Sequence, residues 1–156
     1  MRNYQKILLC VDLTGDSDAI AMRGKWVAER YGAELTLLHV VEYVPVEPMG
    51  EALLPAVQIE GELVERARVR IAELAQRLGL EHCERIVQTG NIKADVVRIA
   101  QERGVDLIVI GSRERHGVSI LFNFTEDTVL HAAPCDVLAV RLPKDGRAAA
   151  AAHGNS

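Results

Sequence analysis

In the stretch GSRERHGVSILFNFT, from Gly111 to Thr125, Arg113, Arg115 and His116 stand close together directly after the apolar run DLIVI. A guanidinium can hold phosphate oxygens through charge-assisted hydrogen bonds, and the backbone of a glycine-containing turn can add N–H donors. The chemistry these residue types suit is therefore the binding of an anion. Glu114, inside the same stretch, works against it, because a carboxylate beside a polyphosphate repels it more strongly the drier the crevice. Far from this stretch in sequence, a further charged residue, Asp12, closes the run KILLCVD near the N-terminus. A carboxylate at the end of a strand either meets a ligand or turns inward to cap the next helix or pair with a nearby base.

Other kinds of chemistry are not supported. His39, His82, His116, His131 and His153 lie on different elements without the i, i+4 spacing of a metal site, and Cys10, Cys83 and Cys135 show no C-x-x-C pair. The cysteines are expected to be small, reduced core residues, and no metal is expected. VDLTGD holds a single glycine, so it is not a dinucleotide fingerprint, and neither a G-x-S-x-G elbow nor a phosphate loop ending in Gly-Lys-Ser/Thr occurs. No catalytic residue is assigned. The net charge of −4, with no basic block, argues against nucleic acid as a partner. No apolar run approaches the roughly 18 residues needed to cross a bilayer, and the N-terminus lacks a signal-peptide pattern, so a cytoplasmic protein without membrane contact is expected.

The elements that hold these residues alternate. With 156 residues, 49% of them hydrophobic, the chain can bury one core. Strand one is KILLCVD, continuously apolar as in a strand covered on both faces. A helix from Asp16 to Tyr31 follows, capped by Asp16 or Thr14, with Ile20, Trp26, Val27 and Tyr31 on one stripe and Trp26 expected in the core. ELTLLHVV, Glu34 to Val41, is strand two. The prolines of EYVPVEPMGEALLP predict an irregular connection before a long helix from Val57 to Leu78, with Ile59, Leu63, Ala67, Ile71, Leu74 and Leu78 on its apolar side. HCERIVQTG is a polar, edge-like third strand, and Asn91 caps a helix that ends at Gly104. DLIVIGS is strand four, Thr125 to Ala133 is helical, and CDVLAVRL is strand five. The alternation predicts an α/β, doubly wound, Rossmann-like fold, a five-stranded, mostly parallel sheet with helices on both faces, for which the strand order 3-2-1-4-5 is expected. Residues 1–143 form the domain, and 144–156 are expected to be a mobile tail. If strands one and four are neighbours, the segments DLTGDS and GSRERHG flank one crevice at the point where strand order reverses.

The sequences KILLCVDLTGDSDAI, LTLLHVVE, GVDLIVIGSRERHG and HAAPCDVLAVR, at their spacing, resemble the universal stress protein (UspA-like) family over nearly the whole chain. The resemblance implies a small stress-response homodimer, from a family with an ATP-binding branch and a branch that does not bind ATP. It assigns Asp12 to the acidic residue facing the adenosine part and Val41 to the position contacting adenine. Gly111 matches the first glycine of the family's phosphate loop, Glu114 stands at the second, and the third falls on Asn123 or Phe124, with Thr125 in place of the hydroxyl. Putting an ordinary residue where glycine's left-handed backbone is needed costs about 1–2 kcal/mol, or about a fivefold to thirtyfold loss of affinity.

The expected nucleotide site thus comprises Asp12, Leu13 and Thr14 after strand one, and Val40 and Val41 at the end of strand two. Gly111, Ser112, Arg113, Arg115, Gly117, Asn123 and Thr125 complete it after strand four. It is expected to bind ATP or AMP weakly. Strand five, through Val137, Leu138, Ala139, Val140 and Arg141, is the expected dimer edge. Two alternatives stand beside this: slow ATP hydrolysis or phosphotransfer in the same crevice, drawing on Asp12 or Glu114, and a protein-binding dimer that takes no nucleotide.

Overall fold

The computed structural model describes residues 3–42, 53–113 and 125–142. The predicted connection is outside these residues except for its two ends, as are loop residues Glu114, Arg115, His116, Gly117, Asn123 and Phe124 and the expected tail 144–156. Among the described residues nine elements follow in the order β1 (Lys6–Cys10), α1 (Ser17–Tyr31), β2 (Glu34–Val41), α2 (Leu53–Leu78), β3 (Glu84–Thr89), α3 (Ile92–Glu102), β4 (Leu107–Arg113), α4 (Thr125–Ala132) and β5 (Asp136–Leu142). The strands form one sheet in the order β3-β2-β1-β4-β5, and all four pairings are parallel.

The apolar runs of the central strands are continuous because both faces are covered. On one face Ile7, Leu9, Leu35, Leu37, Leu107 and Val109 pack with Ile20 and Val27 of α1 and with Ile71 and Leu74 of α2. On the other, Leu8, Cys10, Leu38, Ile108 and Ile110 pack with Val96 and Ile99 of α3 and Val129 of α4. Neighbouring residues along each strand therefore serve different cores, as the period of two requires. The chain winds outward through β1, β2 and β3, then returns to the centre with β4. The reversal lies between β1 and β4.

Three expectations change in detail. Trp26 is 56% exposed, with the Arg30 guanidinium 5.8 Å from its ring centre, and Tyr31 is exposed too. The sheet-facing stripe of α1 is instead Ile20, Ala21, Gly24, Val27 and Ala28. A Cβ added at Gly24 would stand 3.0 Å from Leu9 Cδ1, so α1 lies too close to β1 for a bulky stripe. The second change is in α2, which begins at Leu53 and takes in Pro55. Proline is compatible with a first turn, where its missing N–H has no partner in the helix. Third, Ile59 is exposed and burial sets in only from half-buried Leu63 to buried Ala67, Ile71 and Leu74. A helix of 26 residues is about 39 Å long against about 27 Å for an eight-residue strand, so one end overhangs the sheet.

Candidate functional site

The turn between β1 and α1 is held from several directions. Val11 extends the pairing with β2 by donating its N–H to the Leu38 carbonyl at 3.0 Å. His39, on β2, places Nδ1 2.8 Å from the Val11 carbonyl, a contact that needs the proton on that nitrogen. Leu13 then adopts φ 61°, in the left-handed region, with its side chain buried in the core beneath. Such a backbone costs about 1–2 kcal/mol for a residue with a Cβ and persists only where the surroundings impose it. Here they do. The Leu13 side chain is anchored among apolar neighbours, and its carbonyl accepts a hydrogen bond from Arg70 of α2.

Asp12 is the internal tie of this turn. Its Oδ1 accepts hydrogen bonds from the Thr14 N–H (3.0 Å), the Thr14 hydroxyl (2.7 Å) and the Ser17 hydroxyl (3.0 Å). Ser17 is buried and begins α1, so one carboxylate oxygen ties the turn to the start of the helix through a side-chain hydroxyl. Asp16 occupies the cap position with αR backbone and no side-chain cap bond. Thr14 turns its hydroxyl back to Asp12. The Asp12 side chain remains exposed at the C-terminal end of the sheet, at the level where Thr14 is exposed too.

β4 runs beside this turn. Leu9 pairs with Val109, and counting onward from that pair sets Val11–Asp12 and Gly111–Ser112 at the same end of two neighbouring strands. Asp12 and Gly111 therefore share one edge of the molecule. Gly111 has a packing reason to be glycine: a Cβ there would lie 2.5 Å from Ile20 Cδ1 and 3.1 Å from Leu142 Cδ1. Ser112 is half-buried, Arg113 closes β4 and Thr125 opens α4. Arg115, Gly117 and Asn123 lie outside the described residues. Val40 and Val41 end β2 with side chains buried in opposite cores, and the Val41 carbonyl accepts the Gly90 N–H at 3.1 Å. Any contact Val41 makes with a ligand thus comes from the rim of this strand rather than from an open side chain.

His39, Ser17 and Arg70 are the residues that sequence reasoning passed over. A serine just ahead of an apolar helix stripe was a usable signal for Ser17. Nothing in the spacing separates Arg70 from Arg66, Arg68 and Arg77, because its role depends on which face of α2 meets a turn far away in sequence. Arg77, two turns further along, makes a paired contact with Asp18 in the first turn of α1, at 3.0 and 2.7 Å. Between them a cleft of ≈ 230 Å³ opens beside Thr14, Gly15, Ser17 and Glu73. Larger clefts of ≈ 400 and ≈ 710 Å³ open at the opposite end of the sheet, where the strands begin.

Cys10, at the end of β1, is no nucleophile for this site, since burial pushes its thiol up to about 12. Burial also raises Cys83 and the half-buried Cys135. Among the described residues no group of three or more His, Cys, Asp and Glu is arranged to hold a metal, and no helix is long and apolar enough to cross a membrane. On β5, Val137, Leu138 and Val140 are half-buried while Ala139 and Arg141 are exposed, and the strand ends the sheet.

Comparison with known proteins gives a consistent result. The family model described as the universal stress protein family matches residues 3–141. Universal stress protein A homolog 2 of Coxiella burnetii is 37% identical over 143 residues, covering 91% of this chain and 98% of that protein. The universal stress protein UspA from Lactobacillus plantarum shares the fold with a TM-score of 0.75 at 23% identity, over 90% of this chain and 100% of the other. A universal stress protein solved in complex with cAMP aligns with a TM-score of 0.63 at 19% identity, over 89% of this chain and 98% of the other.

Proposed function

The chain belongs to the universal stress protein family, and on that premise we propose that it works by binding an adenine nucleotide in the crevice between β1 and β4, as a homodimer paired through β5. The observation that carries this reading is the β1–α1 turn. A left-handed leucine, a carboxylate bonded three times on one oxygen and a buried serine are concentrated at the strand-order reversal, where doubly wound sheets take their ligands. Strain of this kind gathers where a fold must present a group in one orientation. The relative solved with cAMP supports an adenine-type ligand.

The described residues suit the nucleoside half of such a ligand. Asp12 and Thr14 are exposed polar residues at the end of β1, and Ser112 stands at the same end of the neighbouring strand. In this reading the phosphates fall to Ser112, Arg113, Arg115, Gly117, Asn123 and Thr125, with Glu114 opposing them. Because Asp12 is engaged with three donors through Oδ1, a binding role suits it better than proton abstraction.

The test is equilibrium binding of ATP, ADP, AMP and cAMP by calorimetry to the full chain and to Glu114→Gly. Wild type is expected to take at least one adenine nucleotide, and Glu114→Gly to bind ATP about fivefold to thirtyfold more tightly. Absence of binding by all four would overturn the reading. Phosphate release from ATP and magnesium that disappears in Asp12→Ala would move the assignment to the catalytic alternative.

A further inference from the structure

Leu13 is the one described residue other than glycine with a positive φ, and the nucleotide reading depends on the turn it forms. Two restraints act on that turn from opposite sides. From within, Asp12 Oδ1 gathers the Thr14 N–H, the Thr14 hydroxyl and the Ser17 hydroxyl. From without, Arg70 of α2, 57 positions away in sequence, donates through Nη2 to the Leu13 carbonyl. We propose that Arg70 is a positioning residue for the nucleotide site: its hydrogen bond to Leu13 holds the left-handed turn that presents Asp12 to the crevice.

A leucine in this conformation returns to an ordinary backbone once it is released, and that rotation carries the neighbouring peptide planes with it. The Leu13 carbonyl belongs to the peptide that also supplies the Thr14 N–H. Arg70 and Asp12 therefore grip opposite ends of one peptide plane, the first at its oxygen and the second at its nitrogen. Losing the outer grip lets this plane swing and loosens the inner one. The buried Leu13 side chain resists the swing but does not fix the plane, since a side chain can stay in place while ψ changes. Arginine suits the task because its permanent charge makes a strong hydrogen bond to a neutral carbonyl.

Arg77 provides an internal control. It joins the same helix to the same segment, but through Asp18 in α1, and leaves the Leu13 peptide untouched. A general loosening of α2 from α1 would follow from removing either arginine. Release of the turn would follow from removing Arg70 alone.

This inference rests on the proposed nucleotide reading for its functional consequence, and the test separates the two. Amide hydrogen exchange at Thr14 is measured by NMR in the full chain for wild type, Arg70→Met, Arg70→Lys and Arg77→Met, together with ATP and AMP affinity. Arg70→Met is expected to speed Thr14 exchange and weaken nucleotide binding, each by about tenfold, as loss of one charged hydrogen bond implies. Exchange at Val96 in the core of α3 should stay at the wild-type rate, showing an intact fold. Arg70→Lys should recover most of both effects, and Arg77→Met should change neither. In an Asp12→Asn background, Arg70→Met should weaken binding by less than it does alone, because the two act through one turn. Unchanged Thr14 exchange in Arg70→Met, or an equal change in Arg77→Met, would overturn the proposal. If wild type binds no nucleotide, the binding reading is lost, while the Thr14 exchange rates still decide whether Arg70 holds the turn.

Discussion

Cys10 shows how strongly a single position can be governed by its surroundings. Its thiol is fully enclosed among Leu8, Leu38 and Ile108, and desolvation of the thiolate raises its pKa from an ordinary 9.0 to about 12. A group whose pKa is raised on folding contributes stability that is fully present below about 9 and is lost as pH climbs through 9 toward 12. Since the thiolate is the reactive species, Cys10 should stay unmodified by iodoacetamide in the folded protein at pH 8, and peptide mapping should find it labelled once urea unfolds the chain. Over pH 9 to 12 the urea midpoint of Cys10→Ala should fall less steeply than that of wild type. Labelling of Cys10 at the rate seen in urea-unfolded chain would contradict its burial. Asp12 and Gly111 mark the limit of reading at this scale. The sequence marks both as site residues, and both stand at the expected edge, yet each also has a structural duty whose partners its residue type does not name. Asp12 ties a turn that reaches forward to Ser17, and Gly111 makes room for Ile20 and Leu142. The partners of such contacts are set by packing between elements, which spacing along the chain does not display.

At the scale of elements, local chemistry was the more legible the more local its cause. Asn91 is the clearest case. Its Oδ1 accepts the Ala94 N–H at 3.1 Å, and Glu42 reaches the next free donor, Ile92 N–H, at 2.8 Å. Asn91→Ala should lower stability by about 1 kcal/mol and the thermal midpoint by about 2–4 °C. A smaller loss would mean that Glu42 alone satisfies the first turn of α3. The five strands and their order were legible because continuous apolar runs alternate with 3.6-residue stripes, and that alternation admits few topologies. The edge character of β3 was legible from its polar residues. The true buried stripe of α1 was not. Trp26 is the largest apolar residue of α1 and so invites placement in the core, whereas the close approach at Gly24 selects small residues instead. The start of α2 was obscured in a similar way, because Pro55 reads as a breaker unless it is known to lie in a first turn. For the expected phosphate end of the candidate site, only Gly111, Ser112, Arg113 and Thr125 lie among the described residues.

Among the described residues the sheet ends in two edge strands of different character. β3 carries exposed Glu84 and Arg85, and Arg103 forks onto Glu84 at 2.7 and 2.8 Å. The guanidinium holds the Glu84 carboxyl below its ordinary range, so this edge keeps its charge through the neutral region. Charged edges discourage strand addition. β5 is apolar from Val137 to Val140 and is the last strand of the sheet among the described residues, the kind of edge that invites a second copy. The proposed homodimer therefore belongs on β5 rather than β3. Val140 is a poor probe of it, because its side chain also packs against the core on the α1 and α2 face. Ala139 is exposed, and a charge there would be brought into a paired β5 edge without disturbing the interior. Wild type should sediment as a dimer with a thermal midpoint that rises with protein concentration. Ala139→Lys should sediment as a monomer with a concentration-independent midpoint, while Arg85→Ala on the opposite edge should remain dimeric. A dimer that survives Ala139→Lys would place the interface elsewhere, and a monomeric wild type would remove the homodimer from the proposed function while leaving the crevice between β1 and β4 to be judged by ligand binding alone.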